Sequence, residues 1–328
     1  MGPAGDSREQ TAHLAGLDSG GTIPGLPGVP AFVSCARDPS DIPVLIAVPH
    51  AGRAYPARVL ERMRNPEFAA LRLEDRYVDR LAQAVSVATG ASLIVAQAPR
   101  AMIDLNRATD DVDWDMIARG GGKGQGEHAS DPGALARRRA RSGLGLIPRR
   151  LPGIGELWKR RHDRDELDSL IAQVHEPYHA ALGDLLGRLH ARWGAVLLLD
   201  LHSMPPLRQR GVPAPEFVVG DRFGASCSGT IVAEIFSWMG QSGRHAAHNR
   251  PYAGGHGLDR HAAPGRNVHA VQLEIDRSSY LDSRLVEPGE GFAGMVDLLV
   301  GLVRHLALAV TSLRVERGGR CAWPDAAE

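Results

Sequence analysis

The stretch Leu197-Leu198-Leu199-Asp200-Leu201-His202-Ser203-Met204 decides the fold. An apolar run without a turn residue reads as a strand buried on both faces, the kind found in parallel sheets covered by helices. This run delivers an aspartate, a histidine and a serine, then stops at Pro205-Pro206. A core strand that ends in polar side chains sets them at the carboxyl edge of an open α/β sheet, where ligands bind. His202 therefore reads as a metal ligand or an acid–base group. The plain alternative is a surface histidine that happens to follow a strand.

The rest of the chain repeats the pattern. Val44-Leu45-Ile46-Ala47-Val48 is a second buried run, and it ends at Pro49-His50-Ala51-Gly52 with a histidine just past the strand. Ser92–Ala96 is a third, leading into Ile103-Asp104-Leu105-Asn106-Arg107. There Asn106 and Arg107 side by side suit a substrate carboxylate, unless Arg107 simply pairs with Asp104 or Asp110. Phe217–Gly220 and His269–Ile275 are further strands, the latter carrying Glu274 near its end.

Between the strands the period changes to that of helices. Leu73, Tyr77, Leu81, Val85 and Ala88 predict one helix over 71–89 closed by Gly90, with Asp75 and Asp79 four apart on one face. A second helix is expected over 165–193, kinked or divided at Pro177. His175, Glu176, Tyr178 and His179 cluster at that break and read as packing residues or as supports behind the ligands, rather than as a metal site. Helices to about Met239 and over 292–313 follow, the last with Met295, Leu298, Leu299, Leu302, Val303 and Leu306 on its apolar face. Strands alternating with helices predict an α/β fold, with a mostly parallel or mixed central sheet and helices on both faces.

Composition narrows the function. The 328 residues hold 38 Lys plus Arg and 38 Asp plus Glu, a formal net charge of zero, which argues against nucleic acid as a partner. The run Arg137-Arg138-Arg139 with Arg141 is short and reads as a solvated helix face. Three scattered cysteines show no disulfide or zinc-finger spacing, so a reducing cytoplasm is expected. No secretory leader is apparent, and no stretch reaches the ~18 apolar residues of a membrane span. Residues 1–40, rich in Gly, Pro, Ser and Asp, are expected to be a flexible arm. A single domain then covers 41–315, and 316–328 form a tail. Gly120-Gly121-Gly122-Lys123-Gly124-Gln125-Gly126 lacks Walker spacing and reads as a mobile loop over 119–133.

Strand ends thus carry His50, His202 and Glu274, and a helix carries Asp75 and Asp79. Two imidazoles and one carboxylate suit Zn²⁺, whose catalytic sites keep one position open to water; Fe²⁺, Co²⁺ and Mn²⁺ accept the same donors. A carboxylate that does not bind the ion can take the proton from that water. The parts suit hydrolysis of an amide in a small acidic molecule.

Several segments resemble the N-formylglutamate amidohydrolase family. They are Val48-Pro49-His50-Ala51-Gly52, Gly143-Leu144-Gly145-Leu146-Ile147-Pro148, Glu176-Pro177-Tyr178-His179, Asp200-Leu201-His202-Ser203-Met204, Gly220-Asp221-Arg222-Phe223-Gly224, Pro251-Tyr252-Ala253-Gly254-Gly255, and Gln272-Leu273-Glu274 through Tyr280-Leu281-Asp282. The similarity runs from about Pro43 to Asp282. It implies a zinc-carboxypeptidase/phosphorylase-hydrolase-like fold and hydrolysis of N-formyl-L-glutamate to formate and L-glutamate, a step of histidine degradation. The wider carboxypeptidase superfamily takes its metal through His-x-x-Glu and a distant His; here Arg53 stands where that Glu belongs. The resemblance implies His50, Asp75 and His202 as metal ligands, with Asp79 the alternative carboxylate, and Glu274 as general base. Asn106, Arg107 and Arg260 would hold the substrate carboxylates. His256-Gly257 stand where the family more often has an aromatic and an aliphatic residue. Two other readings are an amidohydrolase for another N-acyl amino acid or short peptide, and a non-catalytic metal- or ligand-binding protein. Glu274 beside both histidines speaks against the latter, because binding needs no base.

Overall fold

The buried runs pair into one mixed sheet in the computed structural model, which describes residues 18–118, 143–151, 153, 155–207 and 214–318, with side chains through 313. In chain order the strands are β1 (Asp18–Gly20), β2 (Phe32–Cys35), β3 (Val44–Val48), β4 (Ser92–Ala96), β5 (Arg150–Leu151), β6 (Gly155–Glu156), β7 (Val196–Met204), β8 (Phe217–Gly220), β9 (Ala246–His248) and β10 (Val268–Asp276). Strands β5 and β6 form a separate hairpin, and the other eight lie in the order β1-β2-β4-β3-β7-β10-β8-β9. The centre, β4-β3-β7-β10, is parallel; β2 and β8 flank it antiparallel.

Every residue of β3, β4, β7 and β8 is buried, so their apolar alternation is hidden in the sequence but real in space. Val44, Ile46, Leu197, Leu199, Leu201, Val271 and Leu273 share one core layer, while Leu45, Ala47, Val196, Leu198 and Ala270 share the other. Strand period two then carries Asp200, His202, Gln272 and Glu274 onto the second face. The β7–β10 register sets Gln272 beside Asp200 and Glu274 beside His202.

The helices are α1 (Ala57–Arg62), α2 (Pro66–Leu73), α3 (Val78–Thr89), α4 (Arg164–Leu170), α5 (Glu176–Trp193), α6 (Gly229–Gln241), α7 (His256–His261) and α8 (Phe292–Gly318). Helix α5 covers one face of the sheet; α3, α6 and α8 contribute to the layer on the other. Met295, Leu299, Leu302, Val303, Leu306 and Val310 of α8 are at most 1% exposed. Each contributes roughly 1.5–3 kcal/mol of burial at most. The segment Phe292–Leu313 is long and apolar enough to cross a membrane, mean hydropathy 1.7, a property the sequence reading found in no stretch. Its apolar stripe is spent on the core.

Two expectations need correction, and a third is met in an unexpected way. The arm over 1–40 is not free from Asp18 onward: β1 and β2 extend the sheet, and Ile23 and Ala31 are buried. These strands are three and four residues long and partly polar, too short to show a period. The helix over 71–89 is two helices. The His50 carbonyl accepts the Asp75 N–H at 2.9 Å, and Tyr77 takes a left-handed φ of 59°, so α2 stops and α3 starts anew. The division expected at Pro177 is present just ahead of that residue. A π-helical turn, Ile171–His175, joins α4 to α5 and makes room for the proline ring. The Gln173 carbonyl, four residues before Pro177, accepts instead from Thr22 N at 2.9 Å. Gly21 makes that approach possible, since a Cβ there would lie 2.6 Å from the same oxygen. The glycine-rich segment 119–133, the arginine cluster at 137–141 and the chain beyond 318 lie outside the described residues.

Candidate metal centre and active-site cavity

The break between α2 and α3 has a chemical result. It takes Asp75 off the helix and places its carboxylate against both histidines. Asp75 Oδ2 lies 3.1 Å from His202 Nδ1 and 3.6 Å from His50 Nδ1. His50, Asp75 and His202 are each at most 2% exposed, and one donor atom from each lies within 4.8 Å of the others. Asp79, the alternative carboxylate, sits on the first turn of α3 and pairs with Arg53 at 3.1 and 2.6 Å. Arg53, three residues after His50, is committed to that ion pair.

An outer carboxylate orients His50, and another lies close to His202. His50 Nε2 donates to Asp104 Oδ1 at 2.7 Å, because a carboxylate only accepts. Nδ1 is then left as a lone pair, buried and without a hydrogen-bond partner. That orphaned nitrogen facing a carboxylate is what a divalent ion would fill, so the residues fit a metal. His202 Nε2 lies 3.1 Å from Asp200 Oδ2, within ionic range but off the line of a hydrogen bond. The far oxygen of Asp75 is held by Arg277, at 3.3 Å, which also donates to Ser203 Oγ and the carbonyls of Leu71 and Glu74.

Without an ion the cluster is charged. Burial alone would raise Asp75, but His202 and His50 outweigh it and hold its carboxyl well below the usual range. Burial would depress His202, yet Asp200, Asp75 and Glu274 hold the imidazole protonated well above its ordinary value. Burial raises Asp104 as well, and Arg100 and His50 reverse it. Glu274 differs: burial dominates and pushes its carboxyl up to about 7. A carboxylate poised near neutrality beside a metal-ligand cluster is suited to moving protons.

His50, Asp75, His202 and Glu274 line a cavity of about 480 Å³. Glu274 is set by a relay along its wall. Gly257 N donates to Asn106 Oδ1 at 3.0 Å, Asn106 Nδ2 to Gln272 Oε1 at 3.0 Å, and Gln272 Nε2 to Glu274 Oε1 at 2.8 Å. Gly255 admits this, since a Cβ there would meet Asn106 Oδ1 at 2.4 Å. Asn106 and Arg107 both line the cavity as expected, although Arg107 also donates to the carbonyls of Leu144 and Asn106. Arg260 does not line it; it is exposed on α7. The cavity's other arginines are Arg72, Arg100 and Arg277. Arg100 is bound to Asp104 at 2.9 Å, whereas Arg72 stacks on Phe68 at 5.2 Å with no acidic partner among the described residues.

The structure thus brings His50, Asp75, His202, Glu274, Asn106 and Arg107 to one cavity and leaves out Arg260. Sequence reasoning missed Arg72, Arg100, Arg277 and Gln272 as wall residues, and did not place Asp104 against His50. Gln272 carried a usable signal, since it alternates with Glu274 on one strand face.

The sequence profile of N-formylglutamate amidohydrolase matches residues 42–281. N-formylglutamate deformylase of Pseudomonas aeruginosa is 30% identical over 252 residues, covering 74% of this chain and 84% of that protein. The enzyme of the same description from Pseudomonas putida is 30% identical over 247 residues, covering 74% and 82%. Among solved structures, N-formylglutamate amidohydrolase from Ralstonia eutropha superimposes with a TM-score of 0.71 at 30% identity, over 88% of this chain and 99% of that one. A gene product of Agrobacterium tumefaciens shares the fold, with a TM-score of 0.61 at 15% identity over 87% and 96%.

Proposed function

Because the chain belongs to the N-formylglutamate amidohydrolase family, we propose that it hydrolyses N-formyl-L-glutamate to formate and L-glutamate. The observation that carries this reading is the buried His50–Asp75–His202 cluster on the floor of a cavity walled by arginines, with Glu274 on the neighbouring strand position. His50, Asp75 and His202 would hold the ion, and zinc is the ion their donor chemistry favours. When bound there, a divalent ion supplies Lewis-acid polarisation of the carbonyl and a more acidic water.

The chain's own residues do the rest. Gln272 Nε2 fixes Glu274 Oε1 and leaves Oε2 for the proton. Glu274 takes a proton from the attacking water as its oxygen bonds to the formyl carbon. It returns that proton to the nitrogen as the C–N bond breaks, so formate and the free amine leave. Asn106 and Arg107 orient one substrate carboxylate. Arg72, the cavity arginine without an acidic partner among the described residues, takes the place first given to Arg260 for the second. Free thiols at Cys35 and Cys227 accord with a reducing, cytoplasmic setting.

Formate release from N-formyl-L-glutamate, compared with amine release from N-acetyl-L-glutamate, tests the proposal. One added methyl group in a fitted pocket should lower kcat/KM by about 10- to 200-fold. Equal or faster turnover of the acetyl compound would move the assignment to a broader N-acyl amino acid amidohydrolase. The His256-Gly257 pair is the observation favouring that second reading, since Gly257 N anchors the relay to Glu274.

A further inference from the structure

Behind the cavity wall lies a second group of imidazoles that the hydrolysis does not use. His175 and His179 stand one helical turn apart where the π turn enters α5, and His256 opens α7. One ring nitrogen from each lies within 4.8 Å of the others. The first two are at most 1% exposed. His261 adds a fourth ring, its Nε2 2.9 Å from His179 Nδ1.

Hydrogen bonding fixes their tautomers. His175 Nε2 lies 2.8 Å from the Arg107 carbonyl and His179 Nε2 lies 2.9 Å from that of Leu105. A carbonyl only accepts, so both Nε2 atoms carry the proton and both Nδ1 atoms present lone pairs. His175 Nδ1 and His256 Nε2 are buried with no hydrogen-bond partner, a costly arrangement for packing residues alone. His175 thus donates one N–H to a backbone carbonyl and keeps its other nitrogen unpartnered, the way histidines are held for metal binding, while the His179 lone pair accepts from His261 Nε2 and would exchange that bond for the ion.

We propose that His175, His179 and His256 form a second site, for a divalent transition-metal ion such as Zn²⁺ or Co²⁺, sharing no residue with the His50–Asp75–His202 centre. The all-nitrogen donor set selects such ions over Ca²⁺ and Mg²⁺. Arg260 is the opposing charge, but it is exposed and screened by solvent. Tetrahedral ligands on zinc sit roughly 3.3 Å apart, so the donor atoms close inward by at most about 1.5 Å on binding. A bound ion would tie the π turn to α7. Since His175 and His179 grip the carbonyls of Arg107 and Leu105, and His256 N donates to the Asn106 carbonyl at 3.4 Å, the ion would also stiffen the 105–107 segment of the cavity wall.

Equilibrium dialysis of the chelator-stripped full chain against Zn²⁺, with elemental analysis, tests this. Wild type should bind two ions per chain. His175→Gln and His256→Gln should each bind one, whose retention also shows that the fold survives, and His50→Gln/His202→Gln should likewise bind one. Co²⁺ loading of the last variant should give the visible absorption of a nitrogen-ligated ion. Two ions in both His175→Gln and His256→Gln, or a single wild-type ion lost only in His50→Gln/His202→Gln, would overturn the second site and leave the first intact. A single wild-type ion lost in His256→Gln would instead support this site and count against the catalytic one.

Discussion

Replacing Glu274 with glutamine disturbs the centre least while removing the property the mechanism needs. The amide has the length and shape of the carboxylate, and its oxygen can still accept from Gln272 Nε2, now 2.8 Å from Oε1. The relay from Gly257 through Asn106 to Gln272 is therefore kept. Glu274 hydrogen-bonds to Gln272 and to none of His50, Asp75 and His202, so the ion should stay. What disappears is a carboxyl whose burial sets it near neutrality. General base catalysis contributes about 10²- to 10⁴-fold, or roughly 3–5 kcal/mol of barrier. Formate release should thus fall by that factor in kcat, with KM within about threefold and metal content unchanged. Turnover within about threefold of wild type, with the ion in place, would refute Glu274 as the base. The same variant carries a stability signature in the metal-free protein. Glu274 is raised in the folded state from 4.5 to about 7. Its contribution is complete below about pH 4.5 and is lost as pH rises through 7, at up to about 1.4 kcal/mol per pH unit. Thermal melts of metal-free wild type should therefore lose ground to Glu274→Gln between pH 4.5 and 7; parallel curves would contradict the burial argument.

Other perturbations separate the remaining roles. Asp104→Asn removes the carboxylate that fixes the His50 tautomer and should weaken metal binding about 10- to 100-fold in a competition titration with a chelator; unchanged affinity would mean His50 needs no such partner. In the metal-free protein the carboxylates around His202 keep it protonated, so ion binding must expel a proton and tighten with rising pH. Calorimetry in buffers of different ionisation enthalpy should show about one proton released per ion, and buffer-independent heats would speak against it. Arg72→Ala should raise KM for N-formyl-L-glutamate at least about tenfold with little change in kcat, the mark of lost uniform binding, while exposed Arg260→Ala should leave KM within about threefold. The reverse pattern would restore Arg260 to the substrate.

The core of this molecule was written in its apolar runs. Strands β3, β4, β7 and β10 lie where continuous Val, Leu and Ile predicted buried strands, and their ends present His50, His202 and Glu274. That part is local: a strand's end and its face follow from composition and a period of two. Strands β1 and β2 were invisible because three or four residues cannot show a period, and their neighbours are Gly, Pro and Ser. The position of Asp75 was foreseen only through family likeness, and for a helix that does not exist there. What moves it is a tertiary hydrogen bond from its N–H to the His50 carbonyl, which no periodicity encodes. Tyr77, left-handed and without glycine's freedom, is held by its hydroxyl on Glu287 at 2.6 Å and by Arg53, Arg76 and Arg80 around its ring. Arg100 and Arg277 were illegible for the same reason: each earns its place through partners brought near by the fold. The four-histidine cluster shows the limit most plainly, since helical spacing joins only His175 to His179, and α7 supplies the rest.

The central claim is that hydrolysis of N-formyl-L-glutamate depends on an ion held by His50, Asp75 and His202. Its most direct test is formate release by chelator-stripped protein, verified metal-free by elemental analysis, before and after Zn²⁺ is returned. Turnover should vanish on stripping, return with zinc in wild type, and stay absent in His202→Ala under the same loading. Full formate release from protein shown to contain no metal would contradict the claim.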